Sequence, residues 1–126
     1  MKDKKKRILL IEDNEISRTL LRTMLRNSGY EVIGEARDGV SGLEMVNRLL
    51  PDLVCLDVVM PKLDGMQVLA ELRREMPDIP VLMITGRTDR EAVENMIKEG
   101  ATGIVVKPFN TSKVLEAVER SLAARG

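Results

Sequence analysis

The chain has no histidine and no tryptophan, a single cysteine, and only Tyr30 and Phe109 as aromatics. Each shortage excludes a class of chemistry. Without histidine there is no Ser-His-Asp or Cys-His catalysis, no histidine metal ligand and no phosphohistidine carrier. Two scattered aromatics leave little to stack on a flavin ring or on nucleic-acid bases. Cys55 cannot form an internal disulfide, and inside an apolar run it reads as a small hydrophobe. Net charge is missing too: 20 basic and 20 acidic side chains give a formal +0, so nothing global draws the chain to nucleic acid or to an acidic membrane. The basic opening, Lys2 to Arg7, reads as a solubilising lead-in over residues 1–6. No apolar run is long enough for a signal peptide or a bilayer span, so a cytoplasmic location is expected.

What is present suits one domain over residues 1–126. With 44% hydrophobic and 32% charged residues, the chain can bury one sizeable core and has no disordered bias. The run Leu53 to Pro61 is apolar, broken once by Asp57 and stopped by a proline. It reads as a strand buried on both faces, with Asp57 at the end where the chain emerges, because an isolated charge inside would be costly. Arg7–Ile11, Tyr30–Ala36, Val81–Ile84 and Gly103–Val106 read as four more strands. The second has the weaker alternation of a sheet edge.

Between the strands the period changes to that of a helix. Ile16, Leu20, Leu21, Met24 and Leu25 share one predicted buried face. Val40, Leu43, Val46, Leu49 and Leu50 share a second, stopped at Pro51. Met66, Leu69, Leu72 and Met76 form a third; Ala92, Val93, Met96 and Ile97 a fourth; Val114, Leu115, Val118 and Leu122 a fifth. Asp38 and Asn110 are expected helix caps, and Thr88 with Glu91 has capping-box spacing. The methionines fall on these faces and read as core fillers. Apolar strands alternating with amphipathic helices predict a parallel α/β sheet covered on both sides.

In such a sheet all strands end on one edge, where ligands bind. Glu12 and Asp13 follow the first strand, Asp57 ends the third, Thr85 the fourth and Lys107 the fifth. Taken singly, each has a plain reading as a surface acid, a turn hydroxyl or a surface lysine. Together they put three carboxylates, a hydroxyl and an ammonium around one pocket. Clustered carboxylates repel, and without histidine the natural neutraliser is a hard cation bound by oxygen, Mg²⁺ first and Mn²⁺ as a substitute. Asp57 would then stay ionised as a nucleophile, with Lys107 and Thr85 to hold phosphoryl oxygens.

These residues, with Met60-Pro61, Asp64-Gly65, Thr85-Gly86 and Lys107-Pro108-Phe109, resemble the receiver domain of bacterial two-component response regulators, of the stand-alone chemotaxis-receiver kind. The resemblance spans essentially the whole chain. It implies a flavodoxin-like, doubly wound (βα)5 fold with strand order 2-1-3-4-5. It further implies that Asp57 accepts a phosphoryl group from a phosphohistidine on a separate histidine kinase or phosphotransfer protein. Asp13, Asp57 and the backbone carbonyl of Val59 would bind Mg²⁺, with Glu12 helping directly or through water. Lys107 would contact the phosphoryl group, Thr85-Gly86 would shift toward it, and Lys107-Pro108 would be a cis peptide. Ile104 stands where the family often has an aromatic that turns with the threonine, so signalling is expected to run through the backbone from Thr85 to Arg90. Val59 and Arg87 occupy positions that shape water access, and apolar Val59 offers no base, which predicts slow self-dephosphorylation.

Output is expected through a noncovalent partner, since the chain ends just after its last helix. Arg87, Arg90, Glu94, Lys98 and Ile104 are the candidate contact face, although ordinary solvated surface explains each charge equally. No direct nucleic-acid or membrane partner is expected, and the protein would be a monomer or a phosphorylation-linked dimer rather than a turnover enzyme. The alternatives are a receiver cut from a longer regulator, a phosphorelay intermediate, or a docking domain that never carries phosphate. A Mg²⁺-dependent aspartyl phosphatase would want an acid at Val59. A flavin carrier would not place an acid pair before a phosphate-binding helix.

Overall fold

The computed structural model describes residues 4–60 and 62–124. Pro61, expected to stop the Leu53 run, and Lys2 of the basic lead-in lie outside them; Lys4 to Lys6 are exposed ahead of the first strand. Strand and helix alternate throughout: β1 (Arg7–Ile11), α1 (Glu15–Asn27), β2 (Glu31–Ala36), α2 (Gly39–Leu49), β3 (Leu53–Asp57), α3 (Gly65–Glu75), β4 (Val81–Thr85), α4 (Arg90–Lys98), β5 (Gly103–Val106) and α5 (Thr111–Ala124). The five strands form one parallel sheet in the order β2-β1-β3-β4-β5, the doubly wound flavodoxin-like arrangement. β2 lies at an edge, as its weak alternation predicts.

Successive side chains of a strand point to opposite faces, and this divides the core into two. Leu9, Ile11, Val54, Leu56, Val81 and Met83 pack with Val46 of α2, Val68, Leu69 and Leu72 of α3, and Met96 of α4. Ile8, Leu10, Leu53, Cys55, Leu82 and Ile84 pack on the other face with Leu21 and Leu25 of α1 and Val114 and Val118 of α5. β3 and β4 are buried along their whole length, which is why they read as unbroken apolar runs.

Several predicted helical positions need correction. Ile16 is 73% exposed and Leu20 47%, because α1 meets the sheet along a narrower stripe of Arg18, Leu21 and Leu25. Val40 is exposed at the start of α2. Leu50 is exposed as well, since it sits past the last turn in the left-handed region with φ 48°. Ile97 faces outward on α4, which buries Ala92 and Met96 instead. That helix is capped by Asp89, not Thr88: the Ala92 N–H donates to the Asp89 carboxylate at 3.2 Å. Asp38 and Asn110 do cap as expected, accepting from the Ser41 and Lys113 N–H groups at 2.9 Å each.

Candidate functional site

Asp57 closes β3, paired with Ile84 of β4, and its side chain is buried. The chain after it is pinned by the Val58 N–H, which donates to the Ile84 carbonyl at 3.2 Å. The start of α3 presses on the same backbone, where the Gly65 N–H donates to the Val58 carbonyl at 2.8 Å. Gly65 is required at this approach, because a Cβ there would lie 2.2 Å from the Asp57 carbonyl oxygen and 2.6 Å from Val58 Cα. The α3 capping box of Asp64 and Gln67 fixes where that helix begins.

Glu12 and Asp13 leave β1 beside it. Carboxylate oxygens of Glu12, Asp13 and Asp57 all lie within 4.8 Å of one another, Glu12 and Asp57 buried and Asp13 exposed. Lys107 reaches in from the end of β5, its Nζ 3.0 Å from Glu12 Oε1 and 3.5 Å from Asp57 Oδ1. The Lys107 N–H donates to the Thr85 carbonyl at 2.7 Å, and the Lys107-Pro108 peptide is cis. The acid pair after β1, the acid that ends β3 and the lysine after β5 thus lie together at one sheet edge.

The electrostatics follow from burial. Asp57 has its pKa pushed up to about 7, first by burial and then by its contact with Glu12; Lys107 and a backbone hydrogen bond from Val59 oppose the rise. Burial alone would lower the Lys107 pKa, but its contacts with Glu12 and Asp57 outweigh it and the pKa rises. One ammonium therefore balances only part of the acid cluster. Glu12 Oε1 is buried and, among the described residues, finds no well-directed hydrogen bond despite the nearby Lys107. A set of hard carboxylate oxygens, one of them short of a donor, suits a small divalent cation of the Mg²⁺ kind.

The remaining predicted residues are placed less uniformly. Thr85 is buried, and its Oγ1 accepts from the Arg87 N–H at 2.9 Å. Gly86 is exposed and unobstructed: a Cβ added there would meet nothing within 4 Å. Val59 is 71% exposed at the mouth. Arg87 turns its guanidinium to Asp89, at 3.1 and 3.0 Å, rather than over the acids. Arg90 pairs with Glu94 on the α4 surface and Lys98 is exposed. Ile104 is half-buried against the core face that holds Met83 and Met96.

One group escaped the sequence reading. Arg18 of α1 is buried, and its Nη1 donates to the Glu12 carbonyl at 3.0 Å. Its Nε lies 3.3 Å from Glu35 of β2, which also takes both carboxylate bonds from Arg22 at 2.9 Å. The available signal was spacing: Arg18 precedes Leu21 by three residues and Leu25 by seven, which puts a guanidinium on the buried stripe.

Comparison with known proteins agrees with this geometry. The family model of the response regulator receiver domain matches residues 8–119. Chemotaxis protein CheY of Listeria monocytogenes is 33% identical over 115 residues, spanning 91% of this chain and 97% of that protein. The signal receiver domain of the response regulator NarL from Mycobacterium tuberculosis matches with a TM-score of 0.89 at 31% identity, over 96% of this chain and 98% of that one. The CheX-CheY-BeF3-Mg+2 complex from Borrelia burgdorferi matches with a TM-score of 0.87 at 27% identity, over 90% of this chain and 86% of that one. Sheet order, acid cluster and sequence similarity across nearly the whole length agree, and the chain belongs to the response regulator receiver domains.

Proposed function

We propose that this chain is a phosphorylation-controlled signalling module in which Asp57 accepts a phosphoryl group from a phosphohistidine on a separate protein. The observation that carries this reading is the convergence of buried Asp57 with Glu12, Asp13 and Lys107 at the carboxyl edge of the sheet. An Asp57 carboxylate oxygen attacks phosphorus, a P–O bond forms, and the P–N bond to the donor imidazole breaks with its electron pair returning to nitrogen. The donor must lie elsewhere, because this chain has no histidine. Ile16, Leu20 and Val59 are apolar and exposed on the segments beside the acids, a surface suited to docking such a donor.

Glu12, Asp13, Asp57 and the Val59 carbonyl would hold Mg²⁺, or Mn²⁺ in its place, which when bound neutralises carboxylate and phosphoryl charge. Lys107 supplies a second positive contact to the phosphoryl oxygens. Thr85 already accepts the Arg87 N–H, and its hydroxyl proton remains available to donate. Apolar Val59 provides no base to activate water, and Arg87 is engaged by Asp89, so the phosphoryl group is expected to be long-lived. Output runs to a noncovalent partner through Arg87, Arg90, Glu94, Lys98 and Ile104. The Borrelia relative, solved with CheX, BeF3 and magnesium, supports both the cation and a protein partner.

The test is incubation with Mg²⁺ and a small acyl phosphate, followed by intact-mass measurement. One phosphoryl group should be gained by the wild type and none by Asp57→Asn or by the wild type with chelator. Failure of the wild type to gain it, or a gain that survives Asp57→Asn, would reject the reading.

A further inference from the structure

We propose that Arg18 is a positioning residue for the Glu12-Asp13 acid pair, which it holds from the backbone side through the Glu12 carbonyl. This rests on the functional reading above. Burying a guanidinium is expensive unless it is paired and hydrogen-bonded, so a buried arginine on α1 calls for a reason. Its contacts supply one. Glu12 is the first residue past β1, where sheet pairing ends and the chain must turn into α1. Its N–H donates to the Ala36 carbonyl at 2.9 Å and its carbonyl accepts from Arg18 at 3.0 Å. Both backbone groups of the acid are thus fixed, one from β2 and one from α1.

The same turn is closed locally. The Asn14 N–H donates to Glu12 Oε2 at 3.2 Å, the Ser17 N–H donates to Asn14 Oδ1 at 2.9 Å, and the Arg18 N–H donates to the Asn14 carbonyl at 2.9 Å. Arg18 therefore anchors the turn with main chain and side chain together. The direction of its charge matters. The guanidinium meets a carbonyl and not the carboxylates, and Glu35 takes its charge on the far side at 3.3 Å. It can hold the acids without competing with a cation for their oxygens. A planar fork suits this, because Nη1 and Nε address two partners in fixed geometry, which one ammonium cannot do.

The experiment compares Mg²⁺ affinity with stability in the full chain, by following backbone amide shifts through a Mg²⁺ titration and by thermal melts without metal. Arg18→Met should weaken Mg²⁺ binding about tenfold, the scale of outer-shell effects on metal sites. Arg18→Lys, which keeps the charge and one donor, should fall between Arg18→Met and wild type. Arg22→Met removes a partner of Glu35 without touching Glu12; it should lower the melting temperature yet leave the Mg²⁺ dissociation constant within about twofold of wild type, since outer-shell effects need contact with the ligand residue. If Arg18→Met does not fold, Arg18→Lys decides: clear weakening supports the proposal and wild-type affinity overturns it. Unchanged affinity in Arg18→Met, or equal weakening by Arg22→Met, overturns it with the functional reading intact. A wild type that binds no Mg²⁺ overturns both.

Discussion

Asp57 combines burial with a neighbouring acid, and this gives the metal-free protein a distinctive pH response. Its pKa is raised from 3.8 to about 7, so the folded state holds this proton more tightly than the unfolded state does. The associated stability is fully present below the ordinary carboxyl value. It is lost as pH rises through the window up to about 7. Thermal melts without metal should therefore show stability falling from pH 4 toward pH 7, and Asp57→Asn should remove most of that slope. At pH 8 the same substitution should raise metal-free stability, because it removes an ionised carboxylate that burial and the Glu12 contact disfavour more than Lys107 favours it. Mg²⁺ should reverse the trend, because it binds the ionised acids: the rise in melting temperature on adding it should be larger at pH 8 than at pH 5. A metal-free protein with equal stability at pH 5 and pH 8 would contradict this account of Asp57.

Individual elements set the site by how closely they approach it. α3 starts against the Asp57 carbonyl, and Gly65→Ala would force a Cβ into that backbone. Overpacking of this kind costs about 1–3 kcal/mol, and here it should also slow phosphoryl uptake, because the strain falls on the acceptor's own peptide. Arg73 is the contrasting case. Its guanidinium donates to the carbonyls of Gly100 at 2.8 Å and Ile79 at 2.6 Å, at the opposite edge of the sheet. Arg73→Met should lose about 1–3 kcal/mol from unpaired acceptors and leave uptake unchanged. Measuring melting temperature and labelling rate for both variants separates the two roles. Element identity was legible because each strand is a compact apolar run and each helix carries its own period. Burial was less legible at Ile16, Leu20, Val40 and Ile97, since hydrophobicity marks a wide stripe while the sheet covers a narrower one, and at Leu50, which falls past the end of its helix. Arg18 went unread for the opposite reason: its spacing puts it on the buried stripe, but a charged residue is tolerated there only because the Glu12 carbonyl, six residues before it, and Glu35 of β2 come to meet it.

At the scale of the whole molecule, the sheet order decides what can communicate with the acids. Periodicity predicts parallel strands but not their order, which came from the family resemblance; the structure then sets the ends of β3, β4 and β5 side by side. Asp57, Thr85 and Lys107 are therefore neighbours across the sheet, and Thr85 starts a chain of bonds leading outward. Its Oγ1 accepts from the Arg87 N–H, the Arg87 guanidinium pairs with Asp89, and Asp89 caps α4 at Ala92. A hydroxyl drawn toward a phosphoryl group would loosen its bond to Arg87 and disturb the α4 cap without any ring rotating. Ile104, stiff at its first torsion and half-buried on the face that holds Met96, has no ring to turn inward. Phosphorylation with acyl phosphate and Mg²⁺ should thus shift the backbone amides of residues 87–92 in the wild type. Thr85→Val, which keeps the shape and loses the hydroxyl, should accept the phosphoryl group within about threefold of the wild-type rate, because capture depends mainly on the acids, the cation and Lys107. It should lose most of the shift at residues 87–92. Ile104→Ala, which truncates a half-buried side chain, should cost about 1–2 kcal/mol of stability, below the range for a fully buried isoleucine, and leave that shift in place. If instead Ile104→Ala abolishes the shift and Thr85→Val preserves it, the signal leaves through β5 rather than through the β4–α4 connection.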